Sequence, residues 1–224
     1  MEKSRNKYLL RFLLNMEKRG KKPSYCNHLN LEMALRSDGF PYALAVLQSR
    51  VKNIPRNSFM ITDKEPFIIE KTKSVLEGLL DTEIRQSQVG YNGSEKHRIW
   101  VWCMHLLDFI SFQTGNNQKV PGYVFENPEY MENYIRGFLD SRACVTYSPH
   151  PDANYPRIIV SKKNPRLLKS LKKLLQAQGL SPSLKKRVLR LHKSKDIVKV
   201  IESQLITNPQ KLQRLRKLAY TCPV

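Results

Sequence analysis

The chain lacks most of the features that announce a function. Its 224 residues hold four cysteines, Cys26, Cys103, Cys144 and Cys222, scattered and without a CxxC pair. That spacing argues against a zinc ribbon and a disulfide framework, and for a reducing compartment. Cys26 and His28 lie close enough to open a metal site, yet no second pair has matching spacing, so neither metal nor cofactor is expected. No apolar run approaches the roughly 18 residues that cross a bilayer. The stretch Tyr8–Leu14 is broken by Arg11, with no small-residue cleavage site after it, and neither end has a lipidation motif. The expectation is an intracellular protein of the cytoplasm, nucleoid or organelle matrix, not secreted and without a membrane partner. Hydrophobic content is 41%, enough for the core of one large domain or two lobes of about 100 residues.

Acids are the scarcest group in the second half. From Arg157 to Lys217 there are 18 Lys or Arg and two acids, Asp196 and Glu202, a net +16. Residues 1–36 carry +6, whereas 37–156 carry −2. Solvated helices normally interleave Lys with Glu at i, i+4, and those partners are almost absent here. A charge so polarised suits a polyanion, and nucleic acid is the expected partner.

What is present is a segment that occurs twice. Tyr42–Arg50 reads YALAVLQSR and Tyr134–Arg142 reads YIRGFLDSR. Each begins with Tyr, runs through aliphatic residues, places Ser seven residues later and ends in Arg. Aligning Pro66 with Pro165 puts Ile61 on Val160, Ile68 on Leu167 and Leu76 on Leu175. Each copy therefore predicts an apolar helix, a β-rich stretch and a helix with Pro in its first turn, where the missing N–H costs nothing. A further strand and short helix follow in each: Arg98–Cys103 then Leu106–Phe112, and Arg187–His192 then Ile197–Leu205. The organisation is a basic extension (1–36), a first repeat (37–115), a linker (116–132), a second repeat (133–207) and a basic C-terminal helix (208–224). A monomer of this kind is an internal pseudo-dimer, open to a place in a larger nucleoprotein assembly.

Ala45 and Ser49, like Gly137 and Ser141, are four apart and share a helix face. Small residues there let two helices approach closely. YIRGFLDSRACVTYSP resembles the LAGLIDADG motif of homing endonucleases and intein endonuclease domains. KVPGYVFENPEYMENYIRGFLD before it resembles the entry to the second motif of single-chain members, and KKNPRLLKSLKKLLQAQGL matches their strand-to-helix step. The resemblance implies an α+β fold, a pseudo-twofold duplication of an αββαββα unit, whose two saddle-shaped antiparallel sheets lie over duplex DNA.

In that family the last acid of each motif binds catalytic divalent metal. The matching positions here are Arg50 and Arg142, and a guanidinium cannot bind such a metal. Asp140 matches an earlier motif position that supports the helix end, and Gln48 is its partner in the first copy. Two roles suit the Arg pair: caps at helix C-termini, or a grip on phosphate where metals would sit. The resemblance without its acids implies a catalytically inactive protein that binds duplex DNA as a regulator or architectural factor. The alternative partner is RNA, bound by a maturase or a structural ribonucleoprotein component. An active endonuclease would need other acids, Asp140 with Asp38 or Asp152.

Nucleic-acid candidates come from the strands. Thr146, Ser148 and His150 alternate with Val145, Tyr147 and Pro149. Arg157, Lys162, Lys185, Lys186, Arg187, Arg190 and His192 follow, with Arg56, Arg85, Lys96 and Arg98 in the first copy. Strict alternation lets only one of Arg187 and Arg190 face the ligand. Trp100 and Trp102 share a strand face; core packing is the ordinary role for such a pair, and stacking on unpaired bases the other.

Overall fold

A computed structural model describes residues 11, 31–50, 52–54, 58–91, 94–101, 103–116, 118–147, 156–162 and 164–220. Arg56, Ser148, His150, Asp152 and Trp102 lie outside the described residues, as do Cys26, His28 and nearly all of the N-terminal extension.

After a short helix α1 (Leu31–Arg36), the first half runs α2 (Phe40–Arg50), β1 (Lys52–Ile54), β2 (Ser58–Asp63), α3 (Pro66–Leu80), β3 (Gln86–Tyr91), β4 (Ser94–Val101) and α4 (Met104–Thr114). A 3-10 turn at Gly122–Glu126 leads to the second half: α5 (Pro128–Arg142), β5 (Cys144–Tyr147), β6 (Pro156–Ser161), α6 (Pro165–Ala177), β7 (Ser183–Lys185), β8 (Val188–Leu191) and α7 (Ser194–Glu202). Helix α8 (Pro209–Tyr220) ends the described chain. The order αββαββα thus occurs twice.

Local chemistry sets the boundaries. Helix α5 starts at Pro128, within the stretch read as linker. There Asn127 Oδ1 accepts the Glu129 N–H at 2.9 Å and Pro128 fills the first turn. Asn164 caps α6 in the same way, accepting from the N–H groups of Arg166 and Leu167. Gly115, in left-handed backbone at φ 55°, closes α4.

The halves carry matching antiparallel sheets, ordered β1-β2-β4-β3 and β5-β6-β8-β7. Ile61 pairs with Ile99 and Val160 with Leu189, so the register matches the Pro66/Pro165 alignment. Alternation gives each sheet an inner face. Phe59, Ile61, Ile99 and Val101 are buried in one half, and Val145, Ile158, Val160, Leu189 and Leu191 in the other. Helices α6, α7 and α8 pack on the second sheet.

Helices α2 and α5 form the densest contact between halves. Every residue from Phe40 to Ser49 is buried. A Cβ on Gly137 would lie 2.3 Å from the Tyr42 carbonyl oxygen, so the backbones touch directly.

Candidate nucleic-acid interface at the foot of the helix pair

The letters repeated in the twin segments are the groups that bond across the pseudo-twofold. Tyr42 donates its hydroxyl to Asp140 Oδ2 at 3.2 Å, and Tyr134 donates its own to Gln48 Oε1. Ser49 and Ser141 meet on the axis, Oγ to Oγ at 2.8 Å. Arg50 donates to the Ser141 carbonyl while Arg142 donates to the Ser49 carbonyl. Each guanidinium therefore caps the other copy's helix, where the dipole favours a cation.

The copies differ where their surroundings differ. Gln48 also donates Nε2 to the Lys119 carbonyl at 2.9 Å, which requires an amide. Asp140 is fully buried and accepts the N–H groups of Thr207 (2.8 Å) and Asn208 (2.9 Å) and the Thr207 hydroxyl (2.5 Å). It thereby holds the entry to α8, where Asn208 Oδ1 caps the Lys211 N–H at 3.1 Å. A carboxylate suits a helix N-terminus. Asp140 accordingly bonds to the start of α8, while exposed Asp38 precedes α2, at the end of that helix opposite Arg50.

Three more groups complete the foot, and of these the sequence singled out only Lys162, as a strand contact to nucleic acid. Asp63, at the end of β2, pairs with Arg50 at 2.9 Å. Its counterpart in the Pro66/Pro165 register is Lys162, just past β6. Lys162 does not face outward from the strand as expected: Nζ donates to the carbonyls of Ser49 (3.1 Å) and Gln48 (3.3 Å). Lys211 covers the other helix end, donating to the carbonyls of Asp140 and Leu139. Internal alignment could have found Asp63; Lys211 was marked only by the Asn208-Pro209 cap before it. Arg50, Asp63, Arg142 and Lys211, with Thr62, Lys64, Glu65 and Lys96, line a cleft of about 530 Å³.

Burial lowers the Lys162 ammonium to about 8, with Arg142 and Arg50 adding like-charge repulsion. Burial also lowers Arg142 and Lys211; Arg50 repulsion adds at Arg142, whereas Asp140 opposes the shift at Lys211. A divalent metal does not fit this foot. The groups gathered there include two guanidiniums and at least two ammoniums, and of the two carboxylates lining the cleft, Asp63 and Glu65, Asp63 already holds Arg50. Among the described residues, no three His, Cys, Asp or Glu side chains cluster for a metal.

The outer sheet faces flank the foot. On the first sheet, Met60 pairs with Trp100 and Thr62 with Arg98. Arg98 Nε donates to Ser87 Oγ at 3.1 Å, and its guanidinium lies 5.3 Å from the Trp100 ring centre. Trp100 is half-buried on this face, alternating with buried Ile99 and Val101, so it is not part of the inner core. Arg85 is exposed just before β3. On the second sheet, Thr146 pairs with Arg157, and Arg190 pairs with Ile159 and Ser183 on the same outer face. Arg190, not Arg187, is the one on the strand; Arg187 is exposed in the turn with Lys186, beside exposed Lys185 at the end of β7. His192 is exposed just past β8. Tyr147, placed by alternation on the apolar face, is 49% exposed because the strand ends there.

Solved structures share this architecture. The homing endonuclease I-DmoI, in complex with DNA and Ca, matches with a TM-score of 0.52 at 15% identity, covering 80% of this chain and 98% of that one. Full-length DUF199/WhiA from Thermatoga maritima matches at 0.52 and 12% identity, over 83% of this chain and 61% of that one. The N-terminal LAGLIDADG domain of DUF199/WhiA matches at 0.50 and 13%, over 79% and 86%. This chain therefore spans about three-fifths of full-length WhiA and most of that domain. No protein-family model and no curated protein sequence matches the chain. The fold is the LAGLIDADG fold, and no helix of the described residues is long and apolar enough to cross a membrane.

Proposed function

We propose that this LAGLIDADG-fold chain binds duplex DNA across the outer faces of its two sheets, without cutting it, as a regulatory or architectural factor. One observation carries the proposal. Where two carboxylates would have to meet, Arg50 and Arg142 close each other's helices, with Lys162 and Lys211 beside them. Such a foot attracts phosphate and repels a divalent cation. Arg157, Arg190, Lys185, Lys186 and Arg187 would add backbone contacts, which set affinity and salt dependence rather than sequence preference. The DNA-bound state of I-DmoI supports the choice of ligand.

The test joins cleavage to binding. Duplex DNA of random sequence should be retained in a filter assay, with affinity falling steeply with salt, and should stay intact in Mg²⁺ or Mn²⁺. Metal-dependent cuts would overturn the non-cleaving part, and no retention at low salt the binding part. A second reading, an RNA-binding maturase or ribonucleoprotein component, has Trp100 in its favour: with Arg98 beside it, its face offers a stacking surface for an unpaired base. Structured RNA retained tenfold better than duplex would replace DNA by RNA.

Lys162 gives the binding a pH signature. Its ammonium is present below about 8 and is lost as pH rises through that value, while a bound phosphate favours the charged form. Duplex affinity should therefore weaken several-fold between pH 7 and 9. Lys162→Gln should start weaker, lose about 0.9 from the log–log salt slope and respond little to pH over that range. An equal pH response in the variant would remove Lys162 from the site.

A further inference from the structure

The greater part of the positive charge in the second half lies away from the sheet face. Helix α6 buries Leu167, Leu168, Leu171, Leu174 and Leu175 and exposes Lys169 and Lys173. Helix α7 contributes exposed Lys195, with exposed Lys193 at its cap, and α8 contributes exposed Arg214 and Arg216. These helices all pack on the inner side of the second sheet, α6 on β7 and β8, α7 on β6, α8 on β5 and β6. Their outward faces therefore form a layer on the side of that sheet opposite Arg157 and Arg190. None of the six side chains forms an ion pair with a described residue.

The first half supplies the control. Helix α3 occupies the pseudo-twofold position of α6 and buries an equivalent apolar stripe, Ile68, Ile69, Leu76, Leu79 and Leu80. Its charged residues are Glu70, Lys71, Lys73 and Glu77, which balance, and Lys73 pairs with Glu77 at 3.6 Å. In α6 they are Arg166, Lys169, Lys172 and Lys173, with no acid. Solvating a helix needs only the first pattern. The second raises self-repulsion that an external polyanion relieves. The three helices cover the sheet from β5 to β7, three strand spacings or about 15 Å, and α6 gives the layer a length of about 20 Å. That is broad for a single phosphate group and suits a regular polyphosphate backbone. A helix diameter of about 10 Å separates the layer from the sheet, more than the Debye length of about 8 Å at physiological salt. The two basic surfaces are thus screened from each other and free to act separately.

We infer that the α6–α7–α8 layer is a second nucleic-acid surface, so that one copy of the chain holds two duplex segments, one against the sheets and one against the back of the second half. The inference rests on the sheet-face reading above. It is tested by bridging: a short biotinylated DNA duplex on beads, the full chain, and a second, fluorescent duplex. The wild-type chain should retain the fluorescent duplex. Replacing Lys169, Lys173, Lys193, Lys195, Arg214 and Arg216 by Gln should cut that capture by about tenfold or more, with binding to the immobilised duplex and the melting temperature largely kept. Arg157→Gln with Arg190→Gln should instead weaken binding at the sheet face. Bridging that survives the six substitutions, as it would if a dimer carried it, overturns the inference. So does wild-type binding to the immobilised duplex without capture of the second, whether or not the chain binds phosphatidylserine vesicles. If wild type binds neither duplex, the sheet-face reading itself has failed.

Discussion

Gly137→Ala should destabilise the protein by about 2 kcal/mol, despite alanine being the better helix former by about 1 kcal/mol. The new Cβ would stand 2.3 Å from the Tyr42 carbonyl oxygen and 3.0 Å from the Tyr42 Cα and carbonyl carbon. All three are backbone atoms at the centre of the helix pair, so no side chain can swing aside. The helices must separate, at an overpacking cost of about 3 kcal/mol. Separation would also stretch the Ser49–Ser141 contact and both Arg clasps, which depend on the same approach. For a chain of this size the melting temperature should fall by about 4–8 °C. Tyr42→Phe should not rescue it, because the clash is with the main chain. A change within about 1 °C would mean that the helices have slack and the close approach is not required.

Asp140→Asn should cost about 2–4 kcal/mol, from a buried acceptor that serves four donors. An amide keeps its oxygen for the Thr207 and Asn208 N–H groups and turns its NH₂ toward the Tyr42 and Thr207 hydroxyls, which must then give up donating and accept. The negative charge at the start of α8 is lost and the Thr207 hydroxyl must turn to accept, which weakens the anchorage of α8. Melting and limited proteolysis together report this: a lower melting temperature, and early cleavage before Pro209 that frees the basic C-terminal helix. If α8 stays protected while the protein is destabilised, the carboxylate serves only the helix pair, through Tyr42. Neither experiment depends on what the protein binds.

The apolar helices and the strands with alternating burial were legible because their periodicity is a direct record of an inner face. β3 was not. Gln86–Tyr91 has the sequence QSQVGY, with no apolar alternation, and it is a strand because β4 supplies its hydrogen bonds as an edge partner. β7, only three residues long, is of the same kind. The choice between Arg187 and Arg190 needed the register with β6, since alternation alone gives two equivalent answers. Trp100 was legible as a strand residue, but which face of that strand was inner depended on Phe59 and Ile61 of β2.

The sequence by itself determined the duplication, the close helix pair and the arginine at the end of both motif segments. These are properties of single positions: a Gly where only hydrogen fits, and a guanidinium at each segment's end. The tertiary structure decided what these residues do. Arg50 and Arg142 cap helices at residues 91 and 93 positions away in the chain, Asp63 and Lys162 fill equivalent positions with opposite charge, and Lys211 arrives from beyond the repeats. It also decided that the charge excess of the second half is divided between two sides of one sheet. A count along the chain cannot show either, because hydrogen bonds and electrostatic fields act through space, and only the fold sets those distances.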